Sequence, residues 1–150
     1  NLGLVYTKLG KDEESIEQYE QALKMKPDFD QAFTYLAMAY SKTGKVEEAI
    51  KNYQNAIKVN PSNIQAISNL AVLYDKTNQV DRSIGEYSRA LKLKPKNADQ
   101  LLYGLAKAYE KKGDKQKTLS AYQKALEFAT KRKNQKYIDA SKKEIARLKK

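Results

Sequence analysis

The sequence contains no cysteine and no histidine. The first absence excludes disulfides, thiol nucleophiles and thiolate metal sites. The second removes the usual general base and the commonest metal ligand. Only three prolines and six glycines punctuate 150 residues, so the elements should be long. No run of eighteen apolar residues exists, so no segment reads as a membrane-spanning helix. There is no Gly-rich phosphate loop and no nucleophile elbow. Adjacent acids such as Glu13–Glu14 and Glu47–Glu48 sit where helices should start. An enzyme is therefore not expected, and no catalytic residue, cofactor or metal site is assigned.

What is present is the balance of a folded soluble chain: 41% hydrophobic and 31% charged residues. The length suits one domain with a useful core. Net charge is +11 and unevenly spread. Residues 131–150 hold nine Lys/Arg against two acids, a net +7 that leaves +4 for the other 130. The chain opens on Asn1 in what already reads as mid-helix, so a fragment or mature product of something longer is expected.

Internal repetition dominates the pattern. Pro27, Pro61 and Pro95 are spaced by 34. Tyr6, Tyr40, Tyr74 and Tyr109 form one series, and Tyr19, Tyr53, Tyr87 and Tyr122 follow 13 residues behind. Ala22, Ala56, Ala90 and Ala125 form a third, each followed by Leu or Ile. The fourth repeat arrives one residue late, which places an inserted residue in the loop between Pro95 and Asp99.

Within a repeat the apolar spacing is helical. Ala32, Phe33, Leu36, Ala37, Ala39 and Tyr40 recur at three and four, and so do Val46, Ala49, Ile50, Tyr53, Ala56 and Ile57. Gly10, Gly44, Asn78 and Gly113 stand where a left-handed residue ends the leading helix. Asn60 precedes Pro61 and is expected to leave the helical region. Each unit is thus two short antiparallel helices. The tyrosines read as core packing with hydroxyls reaching polar groups.

These residues together resemble the tetratricopeptide repeat, a 34-residue helix–turn–helix unit. The match is clearest at 32–61 and 66–95 and covers about residues 1–130. The family's early aromatic position carries Phe33, Ile67 and Leu102, and its small position carries Gly3, Ala37, Ala71 and Ala106. Thr130 replaces the expected proline, so the last helix should run on. The resemblance implies an all-α right-handed superhelix of about four hairpins, with repeats at about 1–27, 28–61, 62–95 and 96–130. The first repeat is short of its leading turn, and a basic capping helix should occupy 131–150.

In this family the first helix of each pair lines a peptide-binding groove. The exposed positions are then Gln31, Gln65 and Gln100, followed by Thr34, Ser68 and Tyr103, and by Tyr35, Asn69 and Gly104. A turn later come Leu4, Met38, Val72 and Lys107, then a lysine ladder of Lys8, Lys42, Lys76 and Lys111. Such a groove would take a protein or peptide segment with acidic side chains near the lysines. The alternative is that lysines simply favour helix C-termini. A family variant clamps a C-terminal carboxylate with two Lys, two Asn and an Arg. Only Asn69 matches that set, with Thr34, Met38, Gln100 and Gly104 at its other positions, so that ligand is not expected. Two further partner classes remain open. One is nucleic acid or acidic membrane on the basic C-terminal segment. The other is self-association through apolar Leu2, Val5 and Leu9.

Overall fold

The apolar stripes at three-four spacing become helices wherever a left-handed residue or a proline closes them. A computed structural model describes residues 2–150 and holds, among them, nine helices and no strand. In chain order these are α1 (Leu2–Lys8), α2 (Asp12–Met25), α3 (Asp30–Lys42), α4 (Val46–Val59) and α5 (Ile64–Lys76). They continue as α6 (Val80–Lys92), α7 (Ala98–Lys112), α8 (Lys115–Lys131) and α9 (Gln135–Leu148). Gly10, Gly44, Asn78 and Gly113 all adopt positive φ, 60–80°, and turn the chain after α1, α3, α5 and α7. Asn60 is extended before Pro61 as expected, at φ −131°.

Two local features depart from the repeat. The extra residue of the fourth repeat does not lengthen a loop. Three steps separate Pro61 from the start of α5 at Ile64, and three separate Pro95 from the start of α7 at Ala98. Asp99 holds the register position of Ile64, so the additional residue is Ala98, absorbed into the helix, where it forms an intrahelical bond that a loop would not provide. Lys94 also breaks the pre-proline expectation: it is left-handed, with φ 51°, because α6 already closes at Leu93. At Thr130, α8 does run on, reaching 17 residues against 14 in α4.

The chain divides into two units, one ending at Leu73 and one running Tyr74–Lys150, with the boundary inside α5. In the first unit, α1 to α4 pack consecutively. Ile16, Tyr19, Leu36 and Ala39 form a core, with Leu23, Tyr35 and Tyr40 against it. In the second unit, α7 packs on both α6 and α8, and α9 lies on α8. One core joins Ala98, Leu102 and Ala125. Another joins Ala106, Ala121 and Tyr122, covered by Ile145 and Leu148 of α9. Ala56, Ala90 and Ala125 are wholly buried, which lets helix backbones approach closely, while Ala22 is half-buried.

Polar clasps fix the helix starts. In the first unit the Asp30 carboxylate accepts from Asn60 and Asn63 at 2.9 and 2.8 Å, tying α3 to the α4–α5 turn. In the second, the buried Asp99 carboxylate accepts from Arg132 and from Asn134, the latter at 2.7 Å, tying α7 to the α8–α9 turn. Neither clasp is anticipated by the repeat pattern. Its trace is the pair of acids at 30 and 99, each followed some thirty-five residues or fewer later by asparagine.

Candidate functional site

The leading helices position the expected groove residues, and the structure sorts those residues into three groups. The first is exposed and free of ion pairs among the described residues. Gln31, Gln65 and Gln100 face solvent, as do Lys8, Lys76 and Lys107. Those three lysines make no ion pair among the described residues. Gln65 donates weakly to the Met38 sulfur at 3.6 Å, and Val72 is 39% exposed.

The second group is exposed but paired. Lys42 sits 3.4 Å from the Asp12 carboxylate. Lys111 lies 2.8 Å from the Asp75 carboxylate and donates to the Asp75 carbonyl as well. The lysine ladder is therefore not uniform: in each unit one rung is free and one is engaged by an acid. Glu110 also stands beside these lysines, but it receives Arg147 and the Tyr122 hydroxyl instead.

The third group is withdrawn from the surface. Thr34 is 1% exposed; its hydroxyl donates to the Asp30 carbonyl and accepts from Asn63. It supports the Asp30 clasp and offers nothing to a partner, because its position on α3 turns toward the α4–α5 turn. Ser68 is half-buried and donates back to the Ile64 carbonyl at 2.6 Å.

Tyr35, Asn69 and Gly104 answer one recurring problem, the tyrosine of the preceding helix, in three ways. Tyr35 stacks on Tyr19, with ring centroids 5.6 Å apart. Asn69 hydrogen-bonds Tyr53, whose phenol burial pushes well above its ordinary range. Gly104 simply makes room: a Cβ there would lie 2.6 Å from the Tyr87 ring. Burial, reinforced by Asp75 and Tyr137, pushes Tyr87 up to about 12. Tyr103 is held between Tyr122 and Tyr137 at 5.3 and 5.6 Å. These rings are packed structure first.

In the first unit the arrangement also leaves a hollow of about 280 Å³ that brings Leu4, Gln31 and Tyr35 together with Met25 and Phe29. Leu2 and Val5 of α1 and Leu9 just after it are 51–65% exposed, and Met25 is 89% exposed. Among the described residues no cluster of acids could hold a metal ion, and no helix is long and apolar enough to cross a membrane.

Residues 3–44 and 39–78 match the TPR repeat, and residues 69–133 match the tetratricopeptide repeat. The chain belongs to the tetratricopeptide repeat family. Solved structures agree. A crystal structure of MamA protein superposes with a TM-score of 0.81 at 26% identity, over 89% of this chain and 72% of that one. A second crystal structure of MamA gives 0.84 at 26% identity over 89% and 77%. MamA AMB-1 gives 0.74 at 28% identity over 84% and 68%. No curated protein sequence matches the chain. As a tetratricopeptide repeat protein the chain is, in general terms, a scaffold for protein interactions.

Proposed function

We propose that this scaffold binds a peptide or protein segment bearing acidic side chains on the exposed faces of its leading helices. The observation that supports it is the exposed residues Lys8, Gln31 and Gln65 in the first unit and Lys76, Gln100 and Lys107 in the second, held on helices rather than on loops, the lysines without ion pairs among the described residues. Glutamines supply both donors and acceptors to a peptide backbone, and unpaired lysines reward carboxylates. Met38 and Val72 add adaptable apolar contact. Thr34 drops out of the contact set, and Lys42 and Lys111 contribute less because each already has an acid. Affinity capture tests this reading: partners retained by the wild type should be lost from Lys76→Glu/Lys107→Glu. Equal retention by both proteins would remove the leading-helix face from consideration.

A second reading has a specific observation behind it. The unit ending at Leu73 holds eight Lys/Arg against nine acids, and Tyr74–Lys150 holds twenty-one against nine. Lys136, Lys142 and Lys143 of α9 are exposed, so a polyanion has a basic helix to meet. Such binding should fall steeply with salt. Binding that persists at several hundred millimolar salt would favour the peptide reading.

A further inference from the structure

The second unit has a groove on the other side of α7. Its volume is about 790 Å³, in the range of sites that bury a sizeable ligand. The leading-helix positions Gln100, Tyr103, Lys107 and Lys111 line one face of α7. The groove is floored by Ala98, Leu102, Leu105 and Tyr109, which share the opposite face at three-four spacing. Its banks are α6 and α8, where Leu91, Ala121 and the 42%-exposed Phe128 continue the apolar floor.

Every charged residue of the lining is basic. Lys92, Lys94, Lys117 and Lys124 line the groove, and no Asp or Glu does. Lys117 is held 3.1 Å from Asp114 and over the Tyr109 ring. Lys92, Lys94 and Lys124 are exposed and make no ion pair among the described residues. Lys94 reaches the rim through the left-handed backbone noted above, a conformation uncommon for a non-glycine residue.

The repeat register shows what opened this groove. Ser88, Leu102 and Ala121 stand where the first unit has Glu20, Phe33 and Asn52, all larger. Lys117 and Lys124 stand where it has Glu48 and Asn55. In the first unit Tyr40 donates to Glu20 at 2.6 Å, drawing that side chain across the α2–α3 junction. Tyr109 has no such carboxylate, because serine stands at the position of Glu20; Ser88 bonds back to its own helix at the Ile84 carbonyl. Side chains have shrunk at 88, 102 and 121, and positive charge has been added beside them at 117 and 124.

We propose that this groove docks an acidic amphipathic helix of a partner protein, its apolar face on α7 and its carboxylates on the lysine rim. The spacing selects this occupant. Lys117 and Lys124 are two helical turns apart, roughly 10 Å along α8, and Lys92 and Lys94 lie on the opposite bank. A single anionic headgroup spans too little to meet them together, whereas a helix with acids seven residues apart on both flanks meets all of them. An apolar face presented to a groove between two helices is the helix-in-groove mode of recognition. The site is independent of the leading-helix face and stands or falls separately from it.

The probe is a fluorescein-labelled helical peptide of about fourteen residues, long enough for nearly four turns. It carries leucines at i, i+3, i+4 and i+7 and glutamates on both flanks; a control peptide replaces glutamate by lysine. Anisotropy with the full chain should show the glutamate peptide binding and the lysine peptide not. Lys92→Glu/Lys124→Glu should weaken binding at least tenfold, and so should Ser88→Glu, which restores the bulk and charge of Glu20. Lys51→Glu/Lys58→Glu, exposed lysines of α4 that belong to neither site, should bind like the wild type. Circular dichroism checks folding, and the exposed lysine pair decides the matter if Ser88→Glu does not fold. Equal binding of both peptides, no effect of the Lys92/Lys124 pair, or an equal loss through Lys51/Lys58 would overturn the proposal. So would a fluorescent fatty acid binding in place of the peptide, or self-association by light scattering that disappears in Lys92→Glu/Lys124→Glu.

Discussion

The two units are built from the same repeat, yet the junction of α6, α7 and α8 holds an open groove with a lysine-bearing rim, while its counterpart between α2, α3 and α4 carries larger and more acidic side chains. The difference comes from few positions. Glu20 accepts from Tyr40 in one, and Ser88 leaves Tyr109 without a carboxylate in the other. Charge parts company in step, near neutral before Leu73 and strongly positive after it. A repeat scaffold keeps its buried stripe for stacking and is free to vary what rims each junction, so one fold can present different chemistry from unit to unit.

The largest effect should come from the aromatic that anchors the second unit. Tyr122 is 1% exposed and meets Tyr103, Ala106 and Ala121. Tyr122→Ala should cost about 3–5 kcal/mol in denaturant unfolding. Tyr40→Ala, at a half-buried site of the first unit, should cost clearly less; equal losses would erase the contrast in burial.

Next come the clasps. Asp99 is fully buried with Arg132 and Asn134 as partners, whereas Asp30 is half-buried with two asparagines. Asp99→Ala should lower stability by roughly 2–3 kcal/mol, since it removes charge-assisted bonds and strands their donors. Asp30→Ala should cost less, and thermal melts of the pair would show the order.

Two glycines of the second unit should respond with opposite signs. Gly85 lies inside α6 with nothing within 4 Å of an added methyl, so Gly85→Ala should stabilise by roughly 0.8–1 kcal/mol. Gly104→Ala gains the same helix propensity but drives its methyl into the Tyr87 ring, an overpacking cost of about 1–3 kcal/mol. A net loss is expected, and a gain at Gly104 would mean that Tyr87 swings aside freely.

The smallest change concerns Glu20. Tyr40 is pushed up to about 12, first by burial and then by the Glu20 carboxylate it bonds. Glu20→Ser should bring its titration part of the way back toward 10, visible in the ultraviolet absorbance of tyrosinate, and cost about 1 kcal/mol or less. Tyr87, also raised to about 12 but mainly by burial, should not move. Both groups hold their protons more tightly folded than unfolded. Their contribution is therefore complete below pH 10 and is lost as pH rises from 10 toward 12, by up to about 1.4 kcal/mol per pH unit for a fully buried group.

Much of the fold was legible because three-four spacing and closing residues act locally. The positions of α3 and α4, the left-handed turns at Gly44 and Asn78, and the extension of α8 past Thr130 all followed from neighbours along the chain. The candidate site was less legible. Thr34 looked like a surface hydroxyl and is buried, because its environment is set by Asn63, twenty-nine residues away. Lys42 and Lys111 looked like rungs of one ladder, yet acids thirty or more residues distant engage them.

From residue spacing alone came the repeat, the helices and the identity of the buried stripe, since each depends on interactions within a turn or two of one helix. Tertiary structure alone decided which lysines stay free, which hydroxyls are spent inside, and where a junction opens beside Ser88. Those outcomes depend on the size and charge of side chains that meet across helices, and a one-dimensional pattern does not contain those distances.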